Sequence, residues 1–278
     1  MGRRVASAAF IGRRGELRAL RAALSRAADG DPAVVLVGGE AGIGKTRLVA
    51  ELTAACAADG TRVLTGGCVP VGEGSLPYAP VVEVLRALVA ELGPDTVREL
   101  VGPSWPELAR LAPGLGRPQA DPDGHGAQSR LFELLLGLLG RLTEQQPILL
   151  VVEDLHWADR STRELLAFLV RNLRRERLVL VATYRADEPG QQRLRAYLAE
   201  LDRGPVERLE LPRLDRAQTT AQLAGILGAA PDTDLADSVF ARSQGNPFFT
   251  EELLAVVRAG SDELPATPRD LLRGRGDA

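Results

Sequence analysis

Apolar and polar positions follow two rhythms along this chain. Over residues 14–28 polar side chains dominate, and Leu17, Leu20 and Leu24 recur at helical spacing. Asp29-Gly30-Asp31-Pro32 stops that helix. Residues 33–37 form a short, wholly apolar run of the kind buried in a parallel sheet. A glycine-rich stretch follows and opens a predicted helix over 45–58. Residues 61–65 predict a second strand, 66–80 a Gly/Pro-rich loop, and 80–92, 96–100 and 106–111 helical pieces. After a loop at 113–126 comes a long leucine-rich helix at 128–144. Residues 148–152 predict a third strand, 161–173 a helix with Ser161 or Asp159 as its cap, and 178–183 a fourth strand. A helix at 189–201 precedes a weaker fifth strand at 206–211.

Strands alternating with helices imply right-handed crossovers and a parallel sheet covered on both faces. After Leu214 the pattern changes. No strand is predicted there, and 216–227, 235–243 and 248–259 all read as helices. The expected organisation is an α/β domain over 1–213 and a small helical domain over 214–262. The tail, 263–278, is expected to be irregular or a truncation.

Composition adds bounds. The chain has 278 residues, 45% hydrophobic and 26% charged, the balance of an ordinary globular protein. The richest apolar stretch, 131–142, is broken by Glu133 and Arg141, and no run approaches the roughly 18 residues of a membrane span. Arg3 and Arg4 are not followed by the apolar core of a signal peptide. Two cysteines, Cys56 and Cys68, make no disulfide framework, so a reduced, cytoplasmic setting is expected. A net charge of −3 argues against a broadly basic nucleic-acid surface.

One count is sharper. Lys45 is the single lysine among 34 basic residues, the rest being arginine. It sits in Gly39-Glu40-Ala41-Gly42-Ile43-Gly44-Lys45-Thr46, the pattern G-x-x-x-x-G-K-[ST], between an apolar strand and a helix. Glycines there let backbone N–H groups curl around a phosphate, and the helix N-terminus adds a favourable dipole. Lys45 is expected to reach the β- and γ-phosphates of ATP, or the one of these that ADP retains, and Thr46 to bind Mg²⁺. A compact ammonium suits that place better than a guanidinium fork. Arg47, next in the helix, joins the candidate nucleotide contacts.

Pro147 to Asp159 reads P-I-L-L-V-V-E-D-L-H-W-A-D, an apolar strand ending in two acids, as in a Walker B element. One such acid holds the Mg²⁺ shell and the next polarises the attacking water. Glu153 takes the metal side and Asp154 the water side, although the longer Glu leaves the two roles exchangeable. His156 and Trp157 are expected to be structural. In Val179-Leu180-Val181-Ala182-Thr183-Tyr184-Arg185 the strand end offers Arg185, with Thr183 behind it, as a γ-phosphate contact.

Together with Phe10-Ile11-Gly12-Arg13 before the first strand and Gly245-Asn246-Pro247-Phe248-Phe249 near the end, these motifs form an ordered series. The series resembles the ATPase module of the signal transduction ATPases with numerous domains (STAND), an AAA+-related group. It is most similar to the Orc1-like AAA ATPase domains of large LuxR-type regulators and of adenylate-cyclase-linked proteins. The resemblance covers about residues 9–260. It implies a P-loop NTPase three-layer sandwich with sheet order 5-1-4-3-2. It places Phe10, Ile11, Gly12 and Arg13 against the adenine and brings Pro247 over the base. The family usually continues into further domains, so a chain ending at Ala278 reads as a fragment or a truncated relative. No arginine finger is identified, and Arg203 reads as solvated.

The leading expectation is an ATP-dependent signalling or regulatory switch with slow Mg²⁺-dependent hydrolysis. Its rival is a nucleotide-binding module with negligible turnover, a structural or interaction domain of a transcriptional regulator. A GTPase is set aside, because the guanine-reading Asn-Lys-x-Asp needs a second lysine. Partners beyond ATP are further domains or proteins of a larger regulator, with no direct nucleic-acid contact and no membrane.

Overall fold

The computed structural model describes residue 7 and residues 9–70, 77–109, 111, 126–187 and 192–258. The 263–278 tail, Arg3, Arg4 and most of the 113–126 loop lie outside these. Within them the first half contains α1 (Arg14–Ala28), β1 (Ala33–Gly38), α2 (Lys45–Ala58), β2 (Arg62–Gly67), α3 (Ala79–Leu92), α4 (Pro94–Val101) and α5 (Trp105–Ala109). Then come α6 (Ala127–Gln145), β3 (Ile148–Glu153), α7 (Arg160–Asn172), β4 (Leu178–Thr183), α8 (Gln192–Leu201) and β5 (Val206–Glu210). Three helices complete it: α9 (Arg216–Leu227), α10 (Thr233–Ser243) and α11 (Pro247–Arg258).

The five strands are all parallel, in the order β2-β3-β4-β1-β5. This is the expected 5-1-4-3-2 order counted from the other edge. Strand periodicity then divides the interior in two, because successive side chains point to opposite faces. Val34, Leu36, Leu150, Val152, Leu178 and Leu180 face one core, which is covered by α3 to α8. Val35, Val37, Leu149, Val151, Val179 and Val181 face the other, covered by α1 and α2. Apolar residues in both registers are why β1, β3 and β4 read as unbroken hydrophobic runs. The last three helices gather around a separate small core of Leu223, Ala236, Val239, Leu253 and Leu254. Among the described residues no helix is long and apolar enough to cross a membrane.

The structure corrects one local expectation and decides another. Strand β2 does not stop at Thr65 but runs on through both glycines, Gly66 pairing with Val152 and Gly67 with Glu153. Those glycines looked like the start of a loop. Gly66 is a glycine because α3 lies almost on the strand there, and a Cβ would sit 2.1 Å from the Pro80 carbonyl oxygen, whereas Gly67 has room for one. Helix α7 begins at Arg160, and Asp159 is its cap, its Oδ1 accepting from the Thr162 N–H at 3.0 Å. Ser161 is already inside the first turn.

Both cysteines are buried and free. Burial pushes the Cys56 thiol up to about 11. Burial, followed by the nearby carboxylates of Asp159 and Asp154, pushes Cys68 up to about 12. Since the thiolate is the reactive form, both should react with Ellman's reagent at pH 8 about a hundredfold more slowly in the native chain than in denaturant. Rapid labelling of the folded protein would contradict this packing.

Candidate functional site

The sheet brings its chemistry to one edge. In a parallel sheet all strands end on the same side, and there lies the crevice where ligands bind in open α/β folds. Here β1, β3 and β4 deliver the phosphate loop, the acidic pair and Arg185 to that edge.

The loop 39–44 joins β1 to α2. Gly44 is the N-cap of α2 in a left-handed conformation, and no side chain caps the helix. The first-turn N–H groups of α2 therefore face the cavity without a competing side chain. Lys45 is buried, and its ammonium donates to the carbonyls of Gly39 at 2.8 Å and Glu40 at 2.9 Å. Burial lowers its pKa, and Arg185 lowers it further. Asp187, Asp154 and Glu40 act in the opposite direction. Thr46 is exposed in the first turn of the helix. Arg47 pairs with Glu51 at 3.0 Å and donates to the Ser7 carbonyl at 3.2 Å.

A cavity of about 580 Å³ opens in front of this loop. That volume lies within the usual range for small-molecule sites. Residues 41–47 form its floor, with Asp154 and Arg185 at one side. Phe10, Ile11 and Arg13 wall it from the N-terminal segment, and Leu214, Gln222, Pro247 and Phe248 wall it from the C-terminal helices. Away from the loop, Phe10, Ile11, Leu214, Pro247 and Phe248 supply apolar surface, interrupted by the polar side chains of Ser7, Arg13, Gln222 and Glu251.

The two acids part company. Asp154 lies on the cavity wall and Glu153 does not. Asp154 is left-handed, with φ 56°, and its N–H donates to the Thr183 hydroxyl at 3.0 Å. The turn after β3 is thereby tied to the end of β4. Glu153 is half-buried, and its carbonyl accepts from the Cys68 N–H at 2.9 Å. Burial, and then the charge of Asp154, hold its carboxyl above the usual range. Arg185 places its guanidinium over the Trp157 ring, 5.2 Å from the centroid, and the Trp157 ring lies tilted at 46° against the buried His156 ring, 4.7 Å between centroids. Among the described residues no cluster of three or more His, Cys, Asp or Glu forms a ready-made metal cage. Thr46, Glu153 and Asp154 offer the hard oxygen donors suited to Mg²⁺, which is usually held by one or two carboxylates together with substrate phosphates.

Gly12, Gly39 and Glu40 are also absent from the cavity wall. Arg13 does line it, but its guanidinium is spent on the protein. It donates to the Pro212 carbonyl at 2.6 Å, the Ile43 carbonyl at 3.1 Å and Glu16 at 3.3 Å. It therefore ties the phosphate loop to the segment after β5. Asn246, Gln222 and Leu214 were not singled out in the sequence, and the fold brings all three to the site. Asn246 stood inside the quoted Gly245-Asn246-Pro247 string, where a polar residue locked between Gly and Pro was the available signal. Arg203 is exposed after α8.

The family profile described as AAA ATPase domain matches residues 9–181. An uncharacterized protein of Rhizobium meliloti (strain 1021) is 28% identical over 264 residues, which is 88% of this chain and 24% of that one. A STAND protein with a tetratricopeptide repeat sensor from Pyrococcus horikoshii superposes with a TM-score of 0.56. Its identity is 16%, over 98% of this chain and 33% of that one. The Aeropyrum pernix ORC2 protein, in ADPNP-ADP complexes, gives 0.54 at 18% identity, over 98% of this chain and 70% of that one. The Aeropyrum pernix ORC1 protein in complex with DNA gives 0.51 at 19%, over 97% and 66%. The chain spans about a quarter of the Rhizobium relative and a third of the Pyrococcus protein. At these identities the solved structures speak for the fold alone.

Arg13→Ala should cost on the order of 2–4 kcal/mol of stability, because it leaves two partly buried carbonyls unpaired. Arg13→Lys should recover only part, since both carbonyls accept from Nη2 and a single ammonium that took its place would lose the Nη1 bond to Glu16. Chemical denaturation of the two variants beside the parent checks this. Equal stability of all three would remove Arg13 as a tie.

Proposed function

The chain belongs to the AAA ATPase domain family, and from that premise we propose that this nucleotide-binding P-loop ATPase module works as an ATP-dependent switch. The observation that carries the proposal is the shared cavity. Its floor is the phosphate loop and its roof is the N-terminus of α11 with Gln222 of α9. A ligand filling it touches both units at once and so favours one arrangement of the two over others. We assign residues 1–213 to the nucleotide-binding unit and 214–262 to the lid.

In this proposal Lys45 and Arg185 balance phosphate charge as it develops, and the first turn of α2 supplies backbone N–H groups. Asp154, on the cavity wall, orients the attacking water and accepts a hydrogen bond from it. Glu153, set back from the wall, and Thr46 would hold the hydrated metal. Mg²⁺ held there would neutralise charge shared between the β- and γ-phosphates. Phe10, Ile11 and Pro247 provide the apolar surroundings of the base. A second reading is favoured by the position of Glu153 off the wall: a module that binds nucleotide and turns it over negligibly. Further domains of a larger regulator are the proposed partners, since the relatives are longer. A cytoplasmic setting, where ATP is at hand, accompanies this reading. The Aeropyrum ORC1 protein was solved with DNA, whereas the charge of −3 here speaks against direct DNA contact. A DNA titration of this chain decides between them.

Titration with ATP, ADP and GTP, with and without Mg²⁺, tests the proposal. Mg-ATP or Mg-ADP at a hundred times the dissociation constant should add about 2.7 kcal/mol of stability. GTP should add less. Lys45→Ala should remain folded and bind about 10- to 100-fold more weakly, having lost charge-assisted bonds to phosphate. Equal shifts with ATP and GTP would sink the adenine assignment, and an unchanged ATP affinity in Lys45→Ala would sink the phosphate loop.

The two acids should fail differently. Asp154→Asn should bind Mg-ATP almost normally and lose on the order of a hundredfold in single-turnover rate. Glu153→Gln should instead weaken the Mg²⁺ dependence of binding. The reverse outcome exchanges their roles. If neither variant changes either quantity, the end of β3 is not the acidic element of the site.

A further inference from the structure

Asn246 is the point where lid and phosphate loop become one hydrogen-bonded unit. It lies in the turn between α10 and α11 and is 1% exposed. The two ends of its amide serve different masters. Oδ1 accepts from the N–H groups of Phe248 at 3.1 Å and Phe249 at 3.4 Å, capping the first turn of α11. Nδ2 donates to Glu40 Oε1 and to the Ala41 carbonyl, both at 2.9 Å. These partners fix the orientation of the amide. Turned over, its oxygen would face a carboxylate and a carbonyl, and its nitrogen would face two N–H donors.

The contact extends to both sides. The other Glu40 oxygen accepts from Arg213 at 2.7 Å, and Arg213 reaches Gln244 Oε1 at 2.6 Å. The Phe248 N–H lies 3.3 Å from the Gly42 carbonyl. Gly42 has φ +75°, and a Cβ there would stand 2.6 Å from the Phe248 Cβ. Residues 40–42, which line or flank the phosphate site, are therefore bonded directly to the helix whose first residues roof the cavity.

From this geometry we infer that Asn246 is a positioning residue. Through Glu40 and Ala41 it sets the lid helix against the phosphate loop, and closure around nucleotide depends on that bond. The nucleotide clause rests on the function proposed above; the loop–lid bond does not. An asparagine kept only to cap α11 needs an acceptor oxygen, and aspartate supplies one at the same size. Asn246→Asp therefore keeps the cap, loses the donor and sets a second carboxylate against Glu40. Adding Glu40→Gln returns a donor to the contact with its direction reversed.

The test has two readouts on the parent, on Asn246→Asp and on the Asn246→Asp/Glu40→Gln pair. One is amide hydrogen exchange across residues 38–46 and 244–254 without nucleotide. The other is ATP affinity. Asn246→Asp should exchange about tenfold faster in both segments and bind ATP about tenfold more weakly, the size expected for a lost hydrogen bond to a charged group. The double variant should recover a good part of both losses. Parent-like exchange and affinity in Asn246→Asp, or a double variant no better than the single, overturns the inference. Should Asn246→Asp fail to fold, Glu40→Ala makes the same test from the loop side, and unchanged exchange over 244–254 overturns it. If the parent itself does not bind ATP, the proposed function fails, while the exchange arm still decides the bond between Asn246 and the loop.

Discussion

The chemistry of the site turns on one buried ammonium. Lys45 is held at 8% exposure by two carbonyls of its own loop. A charge taken out of water needs close partners, or it costs several kcal/mol. The loop can offer those carbonyls only by curling back on itself between β1 and α2. That curl leaves the first turn of α2 without a side-chain cap. The same fold that satisfies the lysine thus presents N–H donors to the cavity. Asp154 and Arg185, carried on β3 and β4, act on that ammonium with opposite signs. The parallel order of the sheet is what sets them beside it.

Much of this was legible in the sequence, for a physical reason. Strands buried on both faces must be apolar at every position, so β1, β3 and β4 announced themselves. The loop signature is local in sequence as well as in space. The sheet order came through resemblance, since nothing in strand spacing alone fixes which strands are neighbours. Where the reading missed, the cause was non-local. Gly66 and Gly67 extend β2 by pairing with β3, and Pro80 of α3 lies so close to Gly66 that only glycine fits, a contact that a glycine pair does not disclose. Adjacent residues at a strand end point to opposite faces, so Glu153 and Asp154 part, and Asp154 then takes a left-handed backbone that turns the chain after β3. Two adjacent acids do not disclose which of them meets the cavity. Asn246 was missed because its partners lie some two hundred residues away in sequence.

The cations divide their work by shape. Arg13 uses a planar fork to join Glu16, the Ile43 carbonyl and the Pro212 carbonyl, three groups from separate segments. Arg213 likewise joins Glu40 to Gln244. Each fastens the phosphate loop to the chain beyond β5. Both forks are consumed in those ties and have little left for a ligand. Lys45 bonds only to backbone of its own loop, and these are contacts a compact point charge can exchange for phosphate oxygens without unfastening anything else. In a chain that uses arginine at every other basic position, that difference gives the single lysine its place. Arginine there would be drawn into bridging neighbouring segments, and phosphate binding would then compete with the contacts that hold lid and loop together.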